Sequence, residues 1–86
     1  MTVDEAREAY LAAQETASAA FHDIYDRPAA KYAKAMRAAR MSKTKLTPEE
    51  VAAYVSASHR AAAIAEDILA GPTEDIDRAL RSNHHA

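Results

Sequence analysis

Leu46-Thr47-Pro48-Glu49-Glu50-Val51 carries the clearest helix start in the chain. Thr47 can cap with its hydroxyl, and Glu50, three residues on, can reach back to complete a capping box. Proline suits the first helical position, where its missing N–H costs nothing, and Leu46 can staple to Val51. From this start a helix is expected to run to about Ala70, where Gly71-Pro72 reads as a stop. Thr73 then caps a short last helix carrying Ile76 and Leu80, and Ser82 to Ala86 read as a frayed tail.

Upstream, Thr2 and Glu5 form a second capping box. Val3, Ala6, Tyr10, Ala13, Ala17, Ala20 and Ile24 follow in steps of three and four, a heptad seam held for about seven turns. Because most of this seam is alanine, a partner helix can approach near the short end of the roughly 8–10 Å packing range. Pro28 is expected to end or kink this helix, since it disfavours helical angles at Arg27. A second helix then runs from Pro28 to Met41 with Tyr32, Met36 and Ala39 on one face, and Met41 to Lys45 reads as a polar loop. There is no strand pattern and no internal repeat. The expected fold is therefore all-α, a small alanine-rich bundle in one domain, 1–86. It has two long helices, a shorter basic helix and a short C-terminal helix, arranged as an antiparallel hairpin or a three-helix bundle.

Composition bounds the rest. Of 86 residues 23 are alanine, one is glycine and none is cysteine, so neither a disulfide nor a thiolate metal site can brace the fold. Beyond Met1, only 18 residues are apolar or aromatic and larger than alanine. Burying each stabilises by about 1.5–3 kcal/mol, while ordering each residue of the chain costs about 1.5 kcal/mol. That comparison favours self-association, as a homodimer. No apolar run approaches the roughly 18 residues that cross a bilayer. The opening MTVDEAREAY is acidic and lacks the features of a signal peptide, so a cytoplasmic location is expected. Alanine with arginine and aspartate is also what a GC-rich genome encodes, which points to an actinobacterial host or a phage of one.

Charge is the sharpest signal. Residues 1–26 carry a net −5 and residues 48–86 a net −4, whereas residues 27–47 hold Arg27, Lys31, Lys34, Arg37, Arg40, Lys43 and Lys45 with no acid, a net +7. This segment can lie against the acidic faces of its neighbouring helices, in surface pairs worth about 0–1 kcal/mol each. Alternatively it is an exposed patch for an acidic protein surface, nucleic acid or a lipid headgroup, the last disfavoured because alanine buries too little area to anchor a helix. Lys31, Lys34, Arg37 and Arg40 are the expected contact residues for a protein partner.

LTPEEVAAYV followed by SASHR, residues 46–60, resembles the opening of helix-turn-helix modules of the excisionase and repressor kinds. The resemblance implies a second reading, a DNA-binding regulator with His59 and Arg60 at the start of a recognition helix. Ser56-Ala57-Ser58 stands where those families usually place glycine, and a generic capping box accounts for TPEE equally well.

Catalytic and cofactor signals are lacking. The single glycine is placed as a helix stop, so no phosphate-cradling loop is available. Ser58 and His59 are adjacent and diverge by about 100° on a helix. His22 and Asp26 share a face one turn apart, but no Glu-x-x-His pair accompanies them. The expectation is a non-enzymatic interaction module in a regulatory or accessory role, with no cofactor, no metal and no membrane partner.

Overall fold

The computed structural model describes residues 1–83. They form two helices, α1 (Val3–Ser42) and α2 (Pro48–Asn83), joined by residues 43–47 into an antiparallel hairpin. Both expected starts are present. Thr2 is extended, and its hydroxyl accepts from the Glu5 N–H at 3.1 Å and donates to the Glu5 carboxylate at 3.2 Å. At Thr47 the box is reciprocal: the Glu50 N–H donates to the hydroxyl at 3.2 Å and the Thr47 N–H donates to the Glu50 carboxylate at 2.9 Å. The end of α1 is a Schellman turn. Lys43 is left-handed with φ 54°, its N–H donates to the Arg40 carbonyl at 3.4 Å, and the Thr44 N–H donates to the Ala39 carbonyl at 2.9 Å.

Two expected breaks are not there. α1 passes through Pro28 and α2 passes through Gly71-Pro72, so the separate basic helix and the short C-terminal helix are halves of two continuous ones. Ser82 and Asn83, expected to fray, belong to α2, while the remainder of the expected tail, residues 84–86, lies outside the described residues. Each proline removes a hydrogen bond and crowds the carbonyl four residues back, at about 3 kcal/mol. Packing along the hairpin outweighs this. Pro28 falls on the α1 seam between Ile24 and Tyr32, and all three are half-buried. Beyond Pro72, Ala79 is buried, and in an antiparallel hairpin only this far end of α2 can cover the fully buried Ala6 near the start of α1. A helix that stopped at Ala70 would leave the first turns of α1 bare.

The core follows the seam. The buried residues are Ala6 and Ala17 of α1 with Ala57, Ala61 and Ala79 of α2, and no larger side chain is fully buried. The result is a rod of 66 × 17 × 15 Å. Its radius of gyration of 19.2 Å compares with about 12 Å for a globule of this length. Neither helix is long and apolar enough to cross a membrane.

Gly71 provides a clean check that the helix is continuous. A Cβ added there meets nothing within 4 Å, and the backbone is helical. Gly71→Ala is expected to stabilise the protein by about 0.5–1 kcal/mol, raising the thermal midpoint by a few degrees in a calorimetric scan. If α2 ended at Ala70, the same substitution would leave the midpoint unchanged or lower it.

Candidate functional site

The two sides of the hairpin differ in chemistry. Tyr32 of α1 stacks on Tyr54 of α2 with ring centroids 4.3 Å apart and planes 18° apart. Tyr25 reaches the same ring from the next turns of α1, its hydroxyl 2.8 Å from that of Tyr54, and Phe21 packs on Tyr25 at 5.0 Å. These rings are where large side chains bridge the two helices. They are half-buried, and they form the floor between two flanks.

On one flank lies a groove of about 460 Å³. Arg27, Lys31 and Arg60 line it together with Tyr32, Tyr54 and the acids Glu49 and Glu50. Lys31 precedes Tyr32 and Ala53 precedes Tyr54, so both groove-lining residues come from the same side of the aromatic floor. Glu50 is held below the ordinary carboxylate range, first by hydrogen bonds from the Thr47 backbone and hydroxyl and then by the charge of Lys31. It is thereby committed to capping α2. The cations of the groove keep open valence: the ion pairs among the described residues are His22–Asp26, Asp75–Arg78 and Asp77–Arg81, each within a single helix. None of the seven cations of residues 27–45 takes part, and among the described residues no ion pair ties the basic segment to the acidic stretches.

The expected contact residues are all exposed, but they do not form one patch. Lys31, Lys34, Arg37 and Arg40 are three residues apart, and each step turns the side chain by about 60° around the helix. Lys31 lines the groove, Lys34 and Arg37 lie on the outer surface, and Arg40 reaches the opposite flank. In contrast, Lys31 and Arg60, which belong to two different readings of the sequence, line the same groove. His59, one residue earlier, is exposed and is not part of the lining. The turn implied by the helix-turn-helix resemblance is absent. α2 runs straight through Ser56-Ala57-Ser58, with the Ser58 hydroxyl donating to the Tyr54 carbonyl at 3.0 Å and Ala57 fully buried in the hairpin. No recognition helix begins at His59.

Arg27 and the Tyr32–Tyr54 stack are absent from the sequence-level candidates. Their signal was the seam itself: both tyrosines occupy interface positions, and Arg27 precedes a proline that was read as a break. His22 is paired through Nδ1 with Asp26 at 2.8 Å on the exposed surface, and no cluster of three potential metal ligands occurs among the described residues.

The tyrosine pair makes a prediction in alkaline solution. The hydrogen bond with Tyr54 raises the Tyr25 pKa, with lesser contributions from burial and from the charges of Tyr54 and Asp26. A raised folded-state pKa means stability that is present below the unfolded value of about 10 and lost as pH climbs beyond it. In a tyrosinate absorbance titration, Tyr54→Phe is expected to bring Tyr25 ionisation to lower pH. Stability of the variant should also depend less on pH above about 10. An unchanged titration curve would mean that the hydroxyls do not meet.

Set beside known proteins, the chain matches no family model, and no curated protein or solved structure resembles it significantly.

Proposed function

We propose that this chain is a small, non-enzymatic protein-interaction module, regulatory or accessory in role, that binds an acidic surface of a macromolecular partner through the groove side of its basic segment. The observation that carries this reading is the unpaired state of the cations: Arg27, Lys31 and Arg60 converge on one groove without an ion-pair partner among the described residues. Cations spent on internal scaffolding would be bridged to the acids of the other helix. The stacked tyrosines supply a flat, half-apolar floor between the charges, the combination of aromatic and arginine groups that interfaces favour.

Nucleic acid is the second reading, supported by the excess of basic residues between 27 and 47. Against it stand the thirteen acids of the chain, many within a few Debye lengths of about 8 Å of any bound phosphate.

Fluorescence anisotropy with an acidic helical peptide and with a DNA duplex separates the two. The peptide is expected to bind at physiological salt, and Lys31→Glu combined with Arg60→Glu should weaken it on the order of tenfold or more with circular dichroism unchanged. A DNA reader making about five phosphate contacts would show a log-log salt slope near −4.5 and lose roughly 500-fold between 50 and 200 mM salt. That result on the duplex, with no peptide binding, would replace the present reading. Unfolding by the double reversal would instead make the basic segment internal scaffolding.

A further inference from the structure

The side of the hairpin opposite the groove carries an exposed apolar stripe on α2, with scattered apolar residues among polar ones such as Gln14 and Ser18 on α1. Val55 follows Tyr54 and Ala33 follows Tyr32, so these residues lie across the aromatic floor from Ala53 and Lys31. On this flank α2 carries Val51, Val55, Ala62, Leu69, Ile76 and Leu80, at spacings that keep one helical face. α1 contributes Leu11, Tyr25 and Met36 at spacings of two heptads and three turns. Much of this surface remains open to solvent, with Leu11 54% exposed, Leu80 46%, and Val51 and Val55 39% each.

We infer that this face is covered by a second copy of the chain, and that the two hairpins stack face to face with α1 antiparallel to α1 and α2 antiparallel to α2 in a four-helix bundle. Three observations select this occupant and this orientation. The first is area. The chain exposes 6650 Å², whereas a compact monomer of its 9.3 kDa would expose about 5,000 Å². The excess is about twice the roughly 800 Å² that a standard interface removes from each partner, and one long face of a rod 66 Å by 17 Å is large enough to supply such an interface.

The second observation is symmetry. The six apolar positions of the α2 stripe are separated by 4, 7, 7, 7 and 4 residues, so the stripe reads the same from either end. Its centre lies between Ala65 and Glu66, which is also the centre of α2, Pro48–Asn83. A two-fold axis through that point places Val51 opposite Leu80, Val55 opposite Ile76, and Ala62 opposite Leu69, each apolar residue meeting another. An isologous interface needs this self-complementarity, and an unrelated partner does not.

The third is charge. Along its outward side and this flank α1 carries Glu8 and Glu15 in its first half and Arg37 and Arg40 in its second, with Asp26 just past the midpoint of Val3–Ser42. Stacking α1 antiparallel on the second α1 sets each acidic half against a basic half. The alternative two-fold, along the rod, would stack α1 on the second copy's α2 and set Glu8 and Glu15 against residues 66–83 of that helix, which hold five acids to two arginines. Like charges opposed across an interface disfavour that arrangement.

The inference is independent of the groove reading, because Lys31 and Arg60 lie on the other side of the hairpin. Light scattering after size exclusion should give twice the 9.3 kDa chain mass at micromolar concentration. Glu8→Lys with Glu15→Lys, and separately Arg37→Glu with Arg40→Glu, should each weaken association on the order of tenfold, and an equimolar mixture of the two variants should restore it. The chain has no cysteine, so placed cysteines report geometry directly: Ala62→Cys mixed with Leu69→Cys should oxidise to a cross-linked dimer far more readily than either alone. A 9.3 kDa mass at every concentration, with a melting temperature independent of concentration, would overturn the second copy. Failure of the charge variants to rescue each other, or equal cross-linking of each cysteine variant with itself, would overturn the antiparallel order.

Discussion

Close approach along a seam of alanines is the constraint on which the rest of this structure depends. Two helices meeting through Ala6, Ala17, Ala57, Ala61 and Ala79 sit near enough for dense dispersion contact, but each methyl removes little apolar area from water. Stability per turn is therefore small, and the hairpin must gather it over many turns. The length of the rod, the continuity of both helices and the exposure of the larger apolar side chains all follow. With methyl groups filling most of the centre, larger aliphatic side chains such as Leu11, Val51, Val55 and Leu80 stand on the flanks. The tyrosine cluster is the exception, and it bridges the helices where Pro28 changes the rhythm of the seam from alternating steps of three and four to two successive steps of four.

The same constraint explains the tolerance of helix-breaking residues. A hairpin whose contacts are spread evenly loses all contacts beyond the point where one arm ends. At Gly71-Pro72 the local cost is about 1 kcal/mol for glycine and 3 kcal/mol for proline, against the whole cover of the first turns of α1. Local propensity speaks for termination and tertiary packing for continuation, and packing decides.

This is also the boundary of what the sequence reveals. The heptad seam from Val3 to Ile24 and both threonine caps were legible, because each depends on residues within one or two turns. All-helical architecture with two long helices followed from them. The continuity through Pro28 and Pro72 was not legible, because the energy that overrides a proline comes from the other helix, and its register is known only once the hairpin has formed. For the candidate site the division is similar. The cationic run 27–45 and Arg60 stood out as composition, but the placing of Lys31 and Arg60 on one groove depends on that register. So does the Tyr32–Tyr54 stack, since each tyrosine alone reads as ordinary helix packing.

Segregated charge along α1 carries a cost that its own helix does not repay. Lys31, Lys34, Arg37 and Arg40 follow one another at three-residue spacing with no acid between them, and like charges at such spacing destabilise a helix by about 0.2–0.5 kcal/mol per pair. Distributing the six acids of residues 1–26 among these cations would have converted each repulsion into an attraction of similar size. The antiparallel neighbour offsets little of the cost: Lys31 feels the charge of Glu50, but none of these cations is within ion-pair distance of α2 among the described residues. The arrangement thus leaves a long dipolar helix whose two halves are each complementary to something outside the hairpin. Reversing the helix end for end supplies that complement on the apolar side, where a second α1 aligned antiparallel presents acid to base. On the groove side Arg27, Lys31 and Arg60 face away from such a neighbour and remain exposed. One sequence feature, the separation of acids from bases along forty residues of helix, thereby underlies both proposals, the chain itself on one flank and an acidic surface on the other.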